Sequence, residues 1–208
     1  MMSRVSVILA LAAMLGPIGN LPTCAKTVTF DAEKCHVDVP DDWTQQNLPG
    51  NQLAIVNPDQ TKSFILRIVA VGPNLGIDNA SFASGVEKSM TANGATITGR
   101  TTGTLAGLDA RIWDATTQAP AGAVYDRMTV VMANGNAYAL NIQRLGGRPS
   151  QDDQLNSIVS SFGFIGAPRP QEPKDPMDKV GFYIGVFVGV LAVISIFKWI
   201  RNLSRRRS

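Results

Sequence analysis

Apolar side chains recur along this chain with two different periods. Alternation with a period of two marks a half-buried strand. It runs through Thr27–Phe30, Cys35–Val39, Leu53–Val56 and Ser63–Val71, and again through Thr96–Leu105, Ala110–Thr116, Ala123–Ala133 and Ala137–Arg144. Turn formers separate these runs: Pro40, Asn57 to Gln60, Ala106-Gly107, Ala119 to Gly122, and Asn134-Gly135. The last pair is the strongest hairpin signal in the chain, because both central residues of a type I′ turn need positive φ. Helical spacing occurs twice. Phe82, Val86 and Met90 fall at i, i+4 and i+8, with Asp78 or Asn79 to cap the start and Asn93-Gly94 to end the helix. Leu155, Ile158, Val159 and Phe162 form the second stripe, with Ser150 three residues before Asp153 as a capping-box-like start. The pattern predicts an α+β domain over residues 26–166, an antiparallel β-sheet flanked by helices.

The two ends follow neither period. Arg4 precedes the short apolar run Val5 to Met14, and helix breakers follow it, as in a secretory signal peptide over residues 1–25. Thr23 and Ala25 suit a small-residue cleavage site. An uncleaved anchor is the alternative. Near the other end, Val180 to Phe197 carries no charge, and with Lys198, Trp199 and Ile200 the segment 180–200 reaches 21 residues. At 1.5 Å per residue that is about 30 Å of helix, the thickness of a bilayer's hydrocarbon layer. Tyr183 and Trp199 lie toward its two ends, where amphipathic aromatics favour the interface. Between domain and span, residues 167–179 hold four prolines in thirteen residues, which reads as a semi-rigid spacer.

Charge changes the picture by giving direction. Lys198, Arg201, Arg205, Arg206 and Arg207 follow the span with no acid among them. Positive flanks stay in the cytoplasm, so residues 201–208 are expected inside and the domain outside, in the bacterial periplasm. The overall pI near 9.0 comes from this tail, since residues 26–197 hold 13 basic and 16 acidic side chains. No basic stripe marks the domain, so nucleic acid is not an expected partner. The lipid bilayer is. Gly181, Gly185 and Gly189 repeat at four-residue spacing and line one helix face, which suits close approach of a second helix. Self-association, or contact with another membrane protein, is expected there.

Candidate chemistry concentrates in residues 31–43, around the chain's single histidine. On a strand, Cys35, Val37 and Val39 share one face and His36 and Asp38 the other. Cys35 is then a core thiol, and Cys35 and His36 cannot hold one metal. A zinc site wants three or four nitrogen or sulfur ligands, which one His and two Cys cannot supply. If cleavage falls before Cys24, Cys24 and Cys35 could form a disulfide in an oxidising compartment; if it falls after Ala25, Cys35 stands alone. No nucleophile elbow, Walker loop or dinucleotide fingerprint occurs. The expectation is no enzyme, no catalytic set, no metal and no cofactor, with a hydrolase using His36 and Asp38 as the remote alternative.

Four stretches resemble the PsbP-like family, which includes the bacterial DcrB lipoproteins. "CHVDVPDDW" at 35–43 resembles its early strand–Pro–Trp signature, and "LAGLDARIWDA" at 105–115 its Gly-centred middle turn. "GNAYALNIQ" at 135–143 is similar to its late strand, and "LNSIVSSFGF" at 155–164 to its closing helix. The resemblance covers about residues 27–165. It implies an α-β-α arrangement around an antiparallel sheet and a role in binding or assembling other proteins. Some bacterial relatives act as chaperones or adaptors beside secreted toxins, so an immunity or chaperone-like role on an exported toxin is the alternative. No catalytic residue carries over. The family's lipid anchor is replaced here by the C-terminal helix, so the expected function is a membrane-anchored extracytoplasmic protein-binding module.

Overall fold

A computed structural model describes residues 25–71 and 75–171. Residues 1–24 of the expected signal peptide, Cys24 included, most of the Pro-rich spacer, the expected span 180–200 with Gly181, Gly185 and Gly189, and the basic tail lie outside the described residues. Among the described residues no helix is long and apolar enough to cross a membrane.

Strands β1 (Ala25–Phe30), β2 (Cys35–Pro40), β3 (Thr44–Gln45), β4 (Leu53–Val56) and β5 (Lys62–Ala70) come first. Helix α1 (Ala80–Ala92) leads into β6 (Thr96–Leu105), β7 (Leu108–Ala119), β8 (Gly122–Ala133) and β9 (Asn136–Leu145). A 3-10 turn at Pro149–Gln151, helix α2 (Asp153–Ser160) and β10 (Gly163–Phe164) close the domain. The strands pair antiparallel in two sheets. One has the order β1-β2-β10, the other β3-β4-β5-β9-β8-β7-β6. The single sheet read from the sequence is thus divided. The two-residue strands β3 and β10 are too short to leave a period. The expected turns do form, with φ of 54° and 78° at Asn134 and Gly135 and 51° and 78° at Ala106 and Gly107.

Alternation sends the two faces of the large sheet into two cores. On one face Trp113 and Ala115 of β7, Met128, Val130 and Met132 of β8, and Ala137 and Ala139 of β9 meet Phe82, Val86 and Met90 of α1. On the other, Phe64, Leu66, Val131, Tyr138, Leu140 and Ile142 meet Cys35, Val37 and Val39 of the small sheet and Leu155 and Ile158 of α2. The small sheet and α2 therefore share one side and α1 takes the other. Tyr138 fixes the second core. Its hydroxyl donates to the Glu33 carbonyl at 2.7 Å, and its ring stands 5.7 Å from Phe162 and 5.2 Å from Phe164. Trp43 closes the turn after Pro40, its amide donating to the Pro40 carbonyl at 3.2 Å, and its side chain is buried against this core.

The helix starts divide on the expectations. Asn79 caps α1, accepting the Phe82 amide at 2.9 Å. Ser150 does not cap α2, because Pro149 opens a 3-10 turn that consumes Ser150. Asp152 caps instead, accepting the Leu155 amide at 3.1 Å. Its other oxygen lies 2.8 Å from Lys62 Nζ and 3.4 Å from Arg144 Nη1. Burial alone would raise the Asp152 pKa, but the Lys62 contact, the Leu155 amide and the Arg144 charge together hold it below the ordinary range. A depressed carboxylate stabilises the fold above its unfolded pKa of about 3.9 and loses that stabilisation as pH falls through the folded value. Asp152→Ala is expected to cost about 2 kcal/mol at pH 7 from cap and ion pair together. Asp152→Asn keeps the cap and costs under about 1 kcal/mol. Urea unfolding at pH 7 and pH 3 checks both, with each deficit shrinking at the lower pH.

Candidate functional site

Strand β2 places the residues singled out in the sequence as expected by its phase. Cys35, Val37 and Val39 are fully buried. Burial, with the nearby Glu33 carboxylate, pushes the Cys35 thiol up to about 12, so it stays protonated and inert. Ala25, the first described residue, pairs with Pro40 at the far end of the hairpin, while Cys35 pairs with Phe30. His36 and Asp38 share the outer face and are half-buried. Asp38 accepts the Thr27 hydroxyl, and its amide donates to Ser161 Oγ at 2.9 Å. His36 lies over Gly163, where a Cβ would come within 2.6 Å of the imidazole. These contacts knit β1, β2 and β10 together. Among the described residues no group of three His, Cys, Asp or Glu side chains could hold a metal.

The polar chemistry gathers instead around β7 and β8, which sequence reasoning treated only as strands. On the α1 side, Arg100 of β6 grips Glu87 of α1 with Nε at 2.7 Å and Nη2 at 2.9 Å. Trp113 Nε1 adds a third donor to Glu87 at 3.2 Å. The Arg100 bonds are the main cause that holds the Glu87 carboxyl below the ordinary range. Arg111 lies beside them and donates to the Asp78 carbonyl at 3.2 Å. These contacts fasten the outside of α1 to the sheet.

The opposite face of β7 and β8 is different. Ile112, Asp114 and Thr116 alternate with buried Trp113, Ala115 and Thr117, yet remain half-exposed. Tyr125 and Arg127 do the same beside buried Val124, Asp126 and Met128. Arg127 holds Asp114 through Nε at 2.8 Å and Nη2 at 2.9 Å. The pair is about 30% exposed on each side chain. Gly99 of β6 lies against Asp114, whose Oδ2 would stand 3.2 Å from an added Cβ. Arg148 and Ser150 border the same hollow, which measures about 160 Å³. Arg148 is exposed and makes no ion pair among the described residues. A site of this size lies below the usual 300–1,000 Å³ of small-molecule pockets. Its arginines and tyrosine are the residue types enriched at protein interfaces.

Behind this face Asp126 points the other way and is 3% exposed. It takes a short hydrogen bond from Gln143 Nε2 and another from Asn141 Nδ2 at 3.3 Å, while Ser63 donates to Gln143 Oε1 at 3.2 Å. Loss of hydration pushes the Asp126 carboxyl up to about 7, and the two amide bonds only partly offset it. The residues left one trace in the sequence. Asp126 breaks the inward series Val124, Met128, Val130, just as Asn141 and Gln143 break the series from Ala137 and Ala139. A carboxyl sealed at this depth meets no substrate directly, so its consequence is energetic. With a folded pKa above the unfolded value, the folded state binds the extra proton, and stability falls as pH rises from about 4 to about 7. Asp126→Asn is therefore expected to unfold at higher urea than the parent at pH 8, by up to about 4 kcal/mol, with the difference closing toward pH 4. An equal gap at both pH values would contradict this assignment.

No protein-family model matches the sequence. No curated protein matches it either. Solved structures do. Cyanobacterial PsbP (CyanoP) of Synechocystis superposes with a TM-score of 0.54 at 11% identity, covering 72% of this chain and 99% of that one. The Ran-binding protein Mog1p of Saccharomyces cerevisiae gives 0.48 at 14% identity, over 69% of this chain and 96% of its own. LpqN of Mycobacterium tuberculosis, involved in cell envelope biogenesis, gives 0.41 at 18%, over 67% and 90%. At such identities a likeness carries the fold alone, and the CyanoP superposition carries it here. The described residues form an α+β domain of antiparallel sheets and two helices with a PsbP-like fold.

Proposed function

We propose that this chain is a non-enzymatic protein-binding module, held at the outer face of a bacterial inner membrane by its C-terminal helix. The observation that carries the reading is the uneven cover of the large sheet. Where Trp113, Ala115, Val124, Asp126 and Met128 are buried on the α1 side of β7 and β8, Ile112, Asp114, Thr116, Tyr125 and Arg127 on the other side stay half-exposed. That face offers an aromatic hydroxyl, a held arginine–aspartate pair and one unengaged cation, Arg148. Such a surface recognises rather than reacts. The arginine–aspartate pair is spent on itself, while Tyr125 supplies a rigid ring and Arg148 a planar, bidentate donor. Arg148 calls for a carboxylate on the partner. The periplasmic placement rests on the apolar first segment and on the arginine-rich end behind residues 180–200.

The test is photo-crosslinking of the full-length chain in intact cells, with a benzophenone side chain at Tyr125 and a control at the exposed Thr91 of α1. The reading expects a discrete adduct with a second protein from position 125, none from position 91, and loss of the adduct on Arg148→Glu. Equal labelling from both positions, or no adduct from position 125, would remove it.

A further inference from the structure

We infer that β6 pairs antiparallel with β6 of a second copy across a twofold axis, joining two seven-stranded sheets into one. This goes beyond the binding surface proposed above, since it uses a sheet edge and not the Tyr125–Arg148 face. Among the described residues strand β6 is the outer strand of the large sheet and pairs with β7 on one side. Its length is ten residues. The tight turn at Ala106-Gly107 makes Leu105 and Leu108 its flanking pair. In a two-residue hairpin that pair exchanges both hydrogen bonds, and bonded pairs then recur at every second residue. Gly103 and Thr101 therefore spend their backbone groups on β7. Arg100, Thr102 and Thr104 turn theirs outward.

Natural sheet edges are blunted by charge, proline or bulges. Here the bulge lies at one end, where the register shifts between Ile97 and Gly99. The charged Arg100 is drawn toward α1 by Glu87. From Thr101 to Thr104 there is neither charge nor proline, and Thr101, Thr102 and Thr104 are exposed.

The sequence of this edge selects its occupant. "TGRTTGT" at 98–104 reads nearly the same in both directions about Thr101. In antiparallel pairing centred there, Thr98 faces Thr104 of the other copy and Gly99 faces Gly103. Arg100 faces Thr102, and Thr101 faces itself. The two outward-turned residues Arg100 and Thr102 become reciprocal hydrogen-bonded pairs, and Thr101 falls at a non-bonded position, as strand geometry requires. Threonine pairs across strands are favourable. The glycines leave the seam flat on the face where Thr101 stands. The opposite edge of the sheet, β3, has only two residues. It cannot receive β6, so head-to-tail growth is blocked and the twofold arrangement closes on itself.

Single cysteines test the register. In full-length protein carrying Cys24→Ser, Thr101→Cys is expected to give a disulfide-linked homodimer under mild oxidation, because a non-bonded cross-strand pair lies within disulfide reach. Thr104→Cys sits on the same exposed edge, but its two copies would stand six positions, about 20 Å, out of register. It should give no homodimer. The mass of the adduct identifies the partner. Equal crosslinking by both variants, no dimer from Thr101→Cys, or an adduct only to a different protein would overturn the pairing. The last outcome would leave the protein-binding reading standing.

Discussion

The whole arrangement depends on one strand being buried on both faces. In β9, Ala137 and Ala139 face α1 while Tyr138, Leu140 and Ile142 face the small sheet and α2. Each fully buried large side chain contributes about 1.5–3 kcal/mol by leaving water. A strand that faces water on one side can anchor one layer only. β9 anchors two, and β5 and β8 on either side of it share the work. Tyr138 adds direction to this burial. Its phenol reaches the Glu33 carbonyl, and its ring, with Phe162 and Phe164, forms a cluster of tilted and edge-on contacts. The short strand β10, carrying Phe164, is held against the large sheet in that way.

Cover given to the centre is withheld from one side. The small sheet reaches Leu105, Ala110 and Val131 but leaves Ile112, Asp114, Tyr125 and Arg127 half-exposed. That part of the sheet cannot be apolar in solution, and the sequence supplies an internally satisfied ion pair there. β6 at the end of the same sheet is built from threonine and glycine for the same reason. The half-exposed polar face and the threonine-rich edge strand are both consequences of where the second layer stops. The buried carboxyl of Asp126 lies at the boundary, on the face that is still sealed, and it destabilises the fold at neutral pH.

Much of this was legible in the chain. The phase of Cys35, Val37 and Val39 placed β2 and argued against a metal held by Cys35 and His36. Asn134-Gly135 marked one hairpin through its need for positive φ, and Ala106-Gly107 marked a second turn, in which Ala106 is carried into positive φ. The layer order was not legible, because β3 and β10 have two residues each and are held by pairing alone. Ser150 looked like a cap because its spacing to Asp153 is right. Pro149 redirects the backbone into a 3-10 turn, and the capping role moves to Asp152, where Lys62 and Arg144 also meet it. Glu87, Arg100 and Trp113 belong to three elements, so nothing local in the sequence links them. Asp126, by contrast, did leave a mark, as a polar residue in an inward phase on a strand otherwise apolar there.

The direct test of the doubly buried strand is native-state amide hydrogen exchange. If β9 anchors both layers, the amides of Tyr138 to Ile142 exchange only through global unfolding, with opening free energies equal to that from urea denaturation, while β1 and β2 open at lower cost. Should the β9 amides exchange at a lower free energy than those of the small sheet, the central strand is not what holds the two layers together.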